Sequence, residues 1–262
     1  MHTEDRDIND KPRVAVIKLG GSLLHRPRLI VELDQQIDLW QTRLSMKISS
    51  TDASICSPPQ TLKRAFVMGG GGLVNTVRNL DATRPMDAHA THWRCVDLLQ
   101  TTFEIMREWL QCSRHPWHFV DAPQADPAEL AQTIAAANDQ NQNFLVSIRS
   151  FYRRSTVPKG NDRSCRKNSQ ADALAAALPS NWETTTDSLA ALACRYLKTD
   201  RLILVKSCDT PVDGSAACET TTPKTLRSWR ESTIVDGAFP RAAAGLRVTL
   251  ENLLVQSCHH RE

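Results

Sequence analysis

A lysine inside an apolar run, and glycines gathered into two short clusters, are the residues of this sequence best suited to chemistry. Only ten glycines occur in 262 residues, and six of them form Gly20-Gly21 and the row Gly69, Gly70, Gly71 and Gly72. Each cluster follows an apolar run and precedes a segment of helical period. That order sets backbone N–H groups, free of side-chain cover, beside a helix N-terminus at the carboxyl edge of a sheet, where an anion such as phosphate binds. Glycine suits the place because a Cβ would hold an anion away from the amides and because the turn is then free to take positive φ. For either cluster alone, a tight turn without a ligand is the lesser alternative, and two clusters together weaken it further. Lys18 lies in VIKLGGSLL, at the end of the first run. An ammonium there is costly unless it meets a charged partner at the strand tip, a geometry that suits contact with a transferring phosphoryl group. Neither GxxxxGK[ST] nor GxGxxG occurs, so another phosphate-binding frame is required.

Other candidates are weaker. Asp187 opens a helical segment after Thr184, Thr185 and Thr186, which makes helix capping an alternative to a catalytic role. His89 and His92 sit on a long amphipathic segment and read as packing residues before acid or base. The segment 149–170 holds seven Lys or Arg against Asp162. It reads either as a solvated loop or as a basic lid that becomes ordered on phosphates. The eight cysteines show no CxxC spacing, so reduced, unligated thiols are expected, and Cys258-His259-His260 makes no closed metal site.

The elements that must position these residues follow from periodicity. Short apolar runs at 14–19, 64–68, 117–120, 144–148 and 201–205 read as strands, and they alternate with helical patterns at 87–110 and 186–197. Strand and helix alternating without hairpin signals predict an α/β protein with a mainly parallel sheet covered on both faces. The expected organisation is a polar leader over 1–12, one domain over 13–262, a surface loop near 49–60 and the basic loop at 149–170. Hydrophobic residues at 41% and charged residues at 23% are ordinary for a globular chain, and a formal charge of +3 is too mild to imply nucleic acid. No apolar run approaches the roughly 18–20 residues that span a bilayer. A cytoplasmic protein without nucleic-acid or membrane partners is expected.

VIKLGGSLL, VMGGGGLVNTVR, WETTTDSLAALACRYLKTDRLILVKSCD and IVDGAFPRA occur in this order, and together they resemble the successive signatures of the amino acid kinase family. The resemblance spans residues 14 to about 241. It implies a three-layer α/β/α sandwich with an open sheet, ATP with Mg²⁺, and phosphoryl transfer to a small acidic acceptor. By that resemblance Lys18 bridges donor and acceptor phosphates, Gly20, Gly21 and Ser22 form the donor-phosphate turn, and Gly69, Gly70 and Gly71 with Asn75 face the acceptor. Asp187 would orient the catalytic lysine, with Ser188 after it at the helix start. Lys206, Cys208 and Asp209 would line the nucleotide site, and Arg241 would stand where many members carry a second phosphate-binding lysine. Family members commonly pair through a long helix, so a homo-oligomer joined through 87–110 is implied. LPSNWETTTDS, VDGAFPR and THWRCVDLL are further similar to segments of the archaeal-type kinases of methanofuran biosynthesis, which act on an aminomethylfuranmethanol phosphate. Val74-Asn75 stands where that group has Ala-Asp. The alternative on the same fold is a non-catalytic nucleotide- or oxyanion-binding protein for storage or regulation.

Overall fold

The computed structural model describes residues 13–49, 62–137, 143–154, 170–207 and 222–253. The leader 1–12, the loop over 50–61, most of the basic segment (155–169), Cys208, Asp209 and the Cys258-His259-His260 tail lie outside the described residues.

Six strands form one sheet: β1 (Arg13–Leu19), β2 (Leu62–Met68), β3 (Trp117–Val120), β4 (Asn143–Val146), β5 (Arg201–Lys206) and β6 (Arg247–Asn252). Their order is β3-β4-β2-β1-β5-β6, and every neighbouring pair is parallel. β2 and β4 are buried along their whole lengths, as parallel strands covered on both faces must be. Eight helices accompany the sheet among the described residues: α1 (Leu29–Ser49), α2 (Gly71–Thr83), α3 (Ala88–Trp109), α4 (Pro127–Ala136), α5 (Gln170–Ala177), α6 (Thr186–Tyr196), α7 (Pro223–Glu231) and α8 (Phe239–Ala242).

Alternation along the strands builds a core on each face. Val16, Ala65, Val67, Leu202 and Leu204 pack with α6, with Leu130 and Ile134 of α4, and with Trp93, Val96 and Leu99 of α3. Ile17, Leu19, Phe66, Met68 and Val205 pack on the other side with Leu29, Leu33, Ile37 and Trp40 of α1 and with Phe103 and Met106 of α3. The three-layer α/β/α arrangement is therefore present. No helix among the described residues is long and apolar enough to cross a membrane.

Two elements depart from the sequence expectation. The strand expected over 144–148 stops at Val146, and Ile148–Ser150 turns into a single 3-10 turn. β6, which the periodicity did not single out, closes the sheet beside β5. Chain order reverses around β1, with β2 on one side and β5 on the other. Ligands of open α/β sheets bind at the carboxyl ends of the strands beside such a switch point.

Candidate functional site

The carboxyl ends of β1 and β5 deliver two lysines to one carboxylate. Lys18 pairs in register with Leu204, so Lys206, two residues further along β5, emerges on the same face by the period-two rule. α6 covers that face and brings Asp187 in its first turn. Lys18 Nζ lies 2.9 Å from Asp187 Oδ1, a close ionic contact, and Lys206 Nζ donates a hydrogen bond of 2.7 Å to Oδ2. Lys18 is 5% exposed and Asp187 4%. Burial alone would raise the Asp187 pKa, but Lys18 and Lys206 outweigh it and hold the carboxyl below its usual range. Burial, and then the charge of Lys18, lower the pKa of Lys206. Two cations on one anion leave the array with positive charge and N–H groups to offer a ligand. The sequence expectation put Lys206 on the nucleotide side; the structure makes it an equal partner of Lys18.

Asp187 does not cap its helix. The N-cap is Thr185, whose side chain makes no capping bond; the carboxylate of Asp236 does the work from a distant loop. Asp236 accepts from the Thr185 amide at 2.8 Å, the Thr185 hydroxyl at 2.7 Å and the Ser188 amide at 3.0 Å, and also from the Ser188 hydroxyl. Its pKa is raised, chiefly by burial and then by the charge of Asp187. Ser188 is fully buried with its hydroxyl committed to Asp236, so it fixes the helix start and presents nothing to a nucleotide. Asp236 belongs to the site although sequence reasoning gave it no role. The signal was there in IVDGAFPRA, a polar residue inside a motif already noted.

The two glycine clusters meet each other. A Cβ on Gly21 would lie 1.9 Å from the Gly71 nitrogen, and one on Gly71 would lie 2.2 Å from the Gly21 oxygen. Gly71 also takes φ of +54°. A Cβ on Gly69 would come within 2.7 Å of the Gly21 nitrogen. Close packing of the turns thus demands glycine at these positions before any anion arrives, a reason that stands beside the anion approach and positive φ expected from the sequence. Gly20 and Gly69 anchor the turns through their amides, to Val205 O at 2.8 Å and Leu19 O at 2.9 Å. Beyond Gly71 the first amides of α2 lack intrahelical acceptors, as at any helix start. Ser22 Oγ lies 2.6 Å from Ser207 Oγ, joining the first turn to the end of β5.

Two expected residues are exposed and make no bond to this array among the described residues. Arg241 is exposed on α8 and makes no ion pair among the described residues. Asn75 is exposed on α2, where its Oδ1 accepts from Arg78 at 2.9 Å. His92 packs in the core as expected, with Nε2 2.9 Å from the Tyr152 hydroxyl. Of the basic segment, Arg149 faces Asp97 at 4.0 Å, and Arg153 donates to the carbonyls of Ala122 and Ser150. Beside the second glycine turn a small cavity opens between α2, α3 and the start of α6, lined by Gly70, Val74, Cys95, Leu99, Trp182 and Thr186, among others.

No protein-family model matches the sequence, and no curated protein matches it either. Solved structures do. A UMP kinase from Bacillus anthracis aligns with 94% of this chain and 89% of its own, at TM-score 0.53 and 12% identity. A UMP kinase from Ureaplasma parvum aligns with 93% of this chain and 90% of its own, at TM-score 0.51 and 16% identity. At such identities the likeness is one of fold, and the chain has the fold of the UMP kinases, the amino acid kinase fold.

Proposed function

We propose that this protein is an ATP-dependent kinase that transfers the γ-phosphoryl group to a small acceptor already bearing an oxyanion, either phosphate or carboxylate. The observation that carries this reading is the buried array of Lys18, Asp187 and Lys206 at the carboxyl edge of the sheet. A phosphoryl transition state spreads negative charge over oxygens between donor and acceptor, and fixed ammonium groups neutralise it without reorganising. Asp187, held ionised and shared by two lysines, is a poor general base. The acceptor oxygen therefore needs to be one that carries no proton at neutral pH, as in a phosphate monoester or carboxylate. That oxygen forms a bond to the γ-phosphorus while the bond to the β,γ-bridging oxygen breaks, and ADP leaves with the electron pair.

The glycine turns fit the triphosphate: the Gly20-Gly21-Ser22 turn adjoins β5, and the Gly69-Gly70-Gly71 turn opens α2 on the acceptor side. Arg241, Lys206 and Asn75 keep their proposed ligand roles within this reading, and the fold shared with UMP kinases supports a nucleotide donor. Mg²⁺ would ride on the triphosphate. Among the described residues no three His, Cys, Asp or Glu gather to hold a metal, and Asp187 is already engaged by lysines. At the finer level, the methanofuran-kinase resemblance suggests an aminomethylfuranmethanol phosphate as acceptor.

Phosphorus NMR of the protein with ATP, Mg²⁺ and a panel of small phosphates and carboxylates tests this. Transfer to at least one acid is expected. Lys18→Ala should cut its turnover roughly 100- to 1000-fold, the scale of losing one preorganised transition-state donor, with nucleotide affinity changed far less because backbone amides remain. ATP binding without transfer to any acid would instead assign the fold a storage or regulatory role.

A further inference from the structure

The cavity beside Gly70 has a chemistry that narrows the acceptor. It measures about 40 Å³, room for roughly three water-sized groups at about 10–15 Å³ each. Val74, Cys95, Val96, Leu99, Leu189 and Trp182 form the apolar part of its wall, Asn181 with Thr184, Thr185 and Thr186 adds neutral polar groups, and among the described residues it includes no Lys, Arg, Asp or Glu. His92, also in the wall, is not a hidden cation. Its Nδ1 lies 3.3 Å from the Asn181 carbonyl, which can only accept, so Nδ1 carries a proton, and Nε2 lies 2.9 Å from the Tyr152 hydroxyl. Burial lowers the His92 pKa below its ordinary 6.5 and so favours the neutral ring at neutral pH. The wall does contain one unsatisfied polar group, the buried hydroxyl of Thr184, which has no hydrogen-bond partner.

The location ties the cavity to the reacting centre. Gly70 belongs to the turn that opens α2, and Thr186, another wall residue, immediately precedes Asp187. A Cβ on Gly69 would sit 3.2 Å from the Thr186 hydroxyl and 3.2 Å from Leu19 O, so this wall lies near the end of β1 just past Lys18.

We propose that the cavity holds the body of the acceptor, and that this body is compact and uncharged: a short branched alkyl group or small ring joined to the acceptor's phosphate or carboxylate, with a polar atom that satisfies Thr184. This rests on the kinase reading and sharpens it. A cation inside this wall would lose its hydration without gaining a counter-charge, so any ammonium on the acceptor, including an aminomethyl substituent, stays outside the cavity. A nucleoside is too large for it.

Isobutyl phosphate, O-phosphoethanolamine and UMP serve as probes, each followed by calorimetric binding in the presence of a non-hydrolysable ATP analogue and by phosphoryl transfer from ATP. Isobutyl phosphate is expected to bind at least tenfold more tightly than either of the others. Cys95→Leu, which fills the cavity, should weaken it at least tenfold with ATP affinity unchanged. Val74→Leu, from the partly buried face of α2, repeats the test should Cys95→Leu fold poorly. Preference for phosphoethanolamine or UMP, or indifference of isobutyl phosphate to both substitutions, overturns the inference and leaves the kinase reading standing. Tight, substitution-sensitive binding of isobutyl phosphate without transfer to any acid supports the cavity assignment and removes the kinase reading.

Discussion

The sheet buries cations at both ends, and the two ends treat them differently. At the carboxyl edge Lys18 and Lys206 share Asp187. At the amino end of β2, Lys63 and Arg64 are 3% and 0% exposed, on opposite faces of the strand. Lys63 Nζ donates to the carbonyls of Ile134, Ala135 and Ala137 at 2.7, 2.8 and 2.7 Å. These are the orphan carbonyls at the end of α4, where the helix dipole also favours a cation. Arg64 reaches Asn143 Oδ1 at 3.0 Å, and burial lowers its pKa to about 10. All three donors of Lys63 are consumed by neutral groups, so nothing is left for a ligand. Lys18 and Lys206 are balanced by half as many negative charges as they carry positive ones, at the edge where the strand order reverses. A buried lysine in a strand is therefore no sign of a site by itself; unfilled donor capacity at the switch point is.

Asp187→Asn gives the largest expected effect. It leaves two buried ammonium groups facing each other without their carboxylate, the situation in which breaking a buried pair costs about 3–5 kcal/mol. Turnover should fall roughly 100- to 1000-fold as well. Because the folded pKa of Asp187 lies below its ordinary 3.8, its stabilising contribution is present above that ordinary value and is lost as pH falls through the folded one. Wild-type protein should thus lose this advantage over Asp187→Asn on acidification. Urea unfolding at neutral and acid pH, alongside turnover, measures both quantities. Equal stability of the two proteins at neutral pH would dissolve the contrast between the two ends of the sheet.

Lys63→Met sharpens the contrast from the other side. It strands three carbonyls at the end of α4 and should cost about 1–3 kcal/mol of stability, the range for buried groups left unsatisfied. Turnover of the folded fraction should stay within about twofold, a change of less than 1 kcal/mol in barrier. A Lys63→Met protein with native stability and lost turnover would mean that the amino end of β2 also takes part in the chemistry.

How far the sequence revealed this arrangement depended on where each partner lies in the chain. Lys18 and the glycine clusters stood out locally, because an ammonium in VAVIKL and glycines in a glycine-poor chain are anomalies within a few residues. Sheet class was equally local, resting on strand and helix periods. The bond from Asp236 to the start of α6 spans 48 residues or more, and periodicity carries no information about such a pairing. β6 was missed because Arg247, Glu251 and Asn252 dilute the apolar pair Val248 and Leu250; a strand with one neighbour tolerates charge that a central strand does not. The helical segment expected after Gly20-Gly21 was given no bounds, although Leu29, Leu33, Ile37 and Trp40 of α1 recur at steps of four, four and three. That signal was available to a helical reading. Lys63 shows the reverse failure: the argument that singled out Lys18 applies to it equally, and only its carbonyl partners tell the two apart.

The smallest expected effect distinguishes the two lysines from each other. Lys206 has a pKa below its ordinary 10.5, first because burial penalises the charged form and next because Lys18 repels it. As pH rises it therefore sheds its proton earlier than a free lysine, and the array loses positive charge where phosphoryl oxygens need it. Transfer in the wild type should decline on the alkaline side, through the depressed pKa of Lys206, by a few-fold up to about tenfold, equivalent to at most about 1.4 kcal/mol. Lys206→Arg keeps the charge throughout this range, since a guanidinium does not deprotonate in it. Its broader, planar head fits the Asp187 contact less well, so a modest loss at neutral pH is expected together with a decline displaced to higher pH. Rate profiles of the two proteins between about pH 7 and 10 read this directly, ordinary lysine titration lying near the upper limit. Superimposable profiles would show that the charge of Lys206 is not used in transfer, leaving Lys18 as the only one of the pair at work and Lys206, like Lys63, a structural cation.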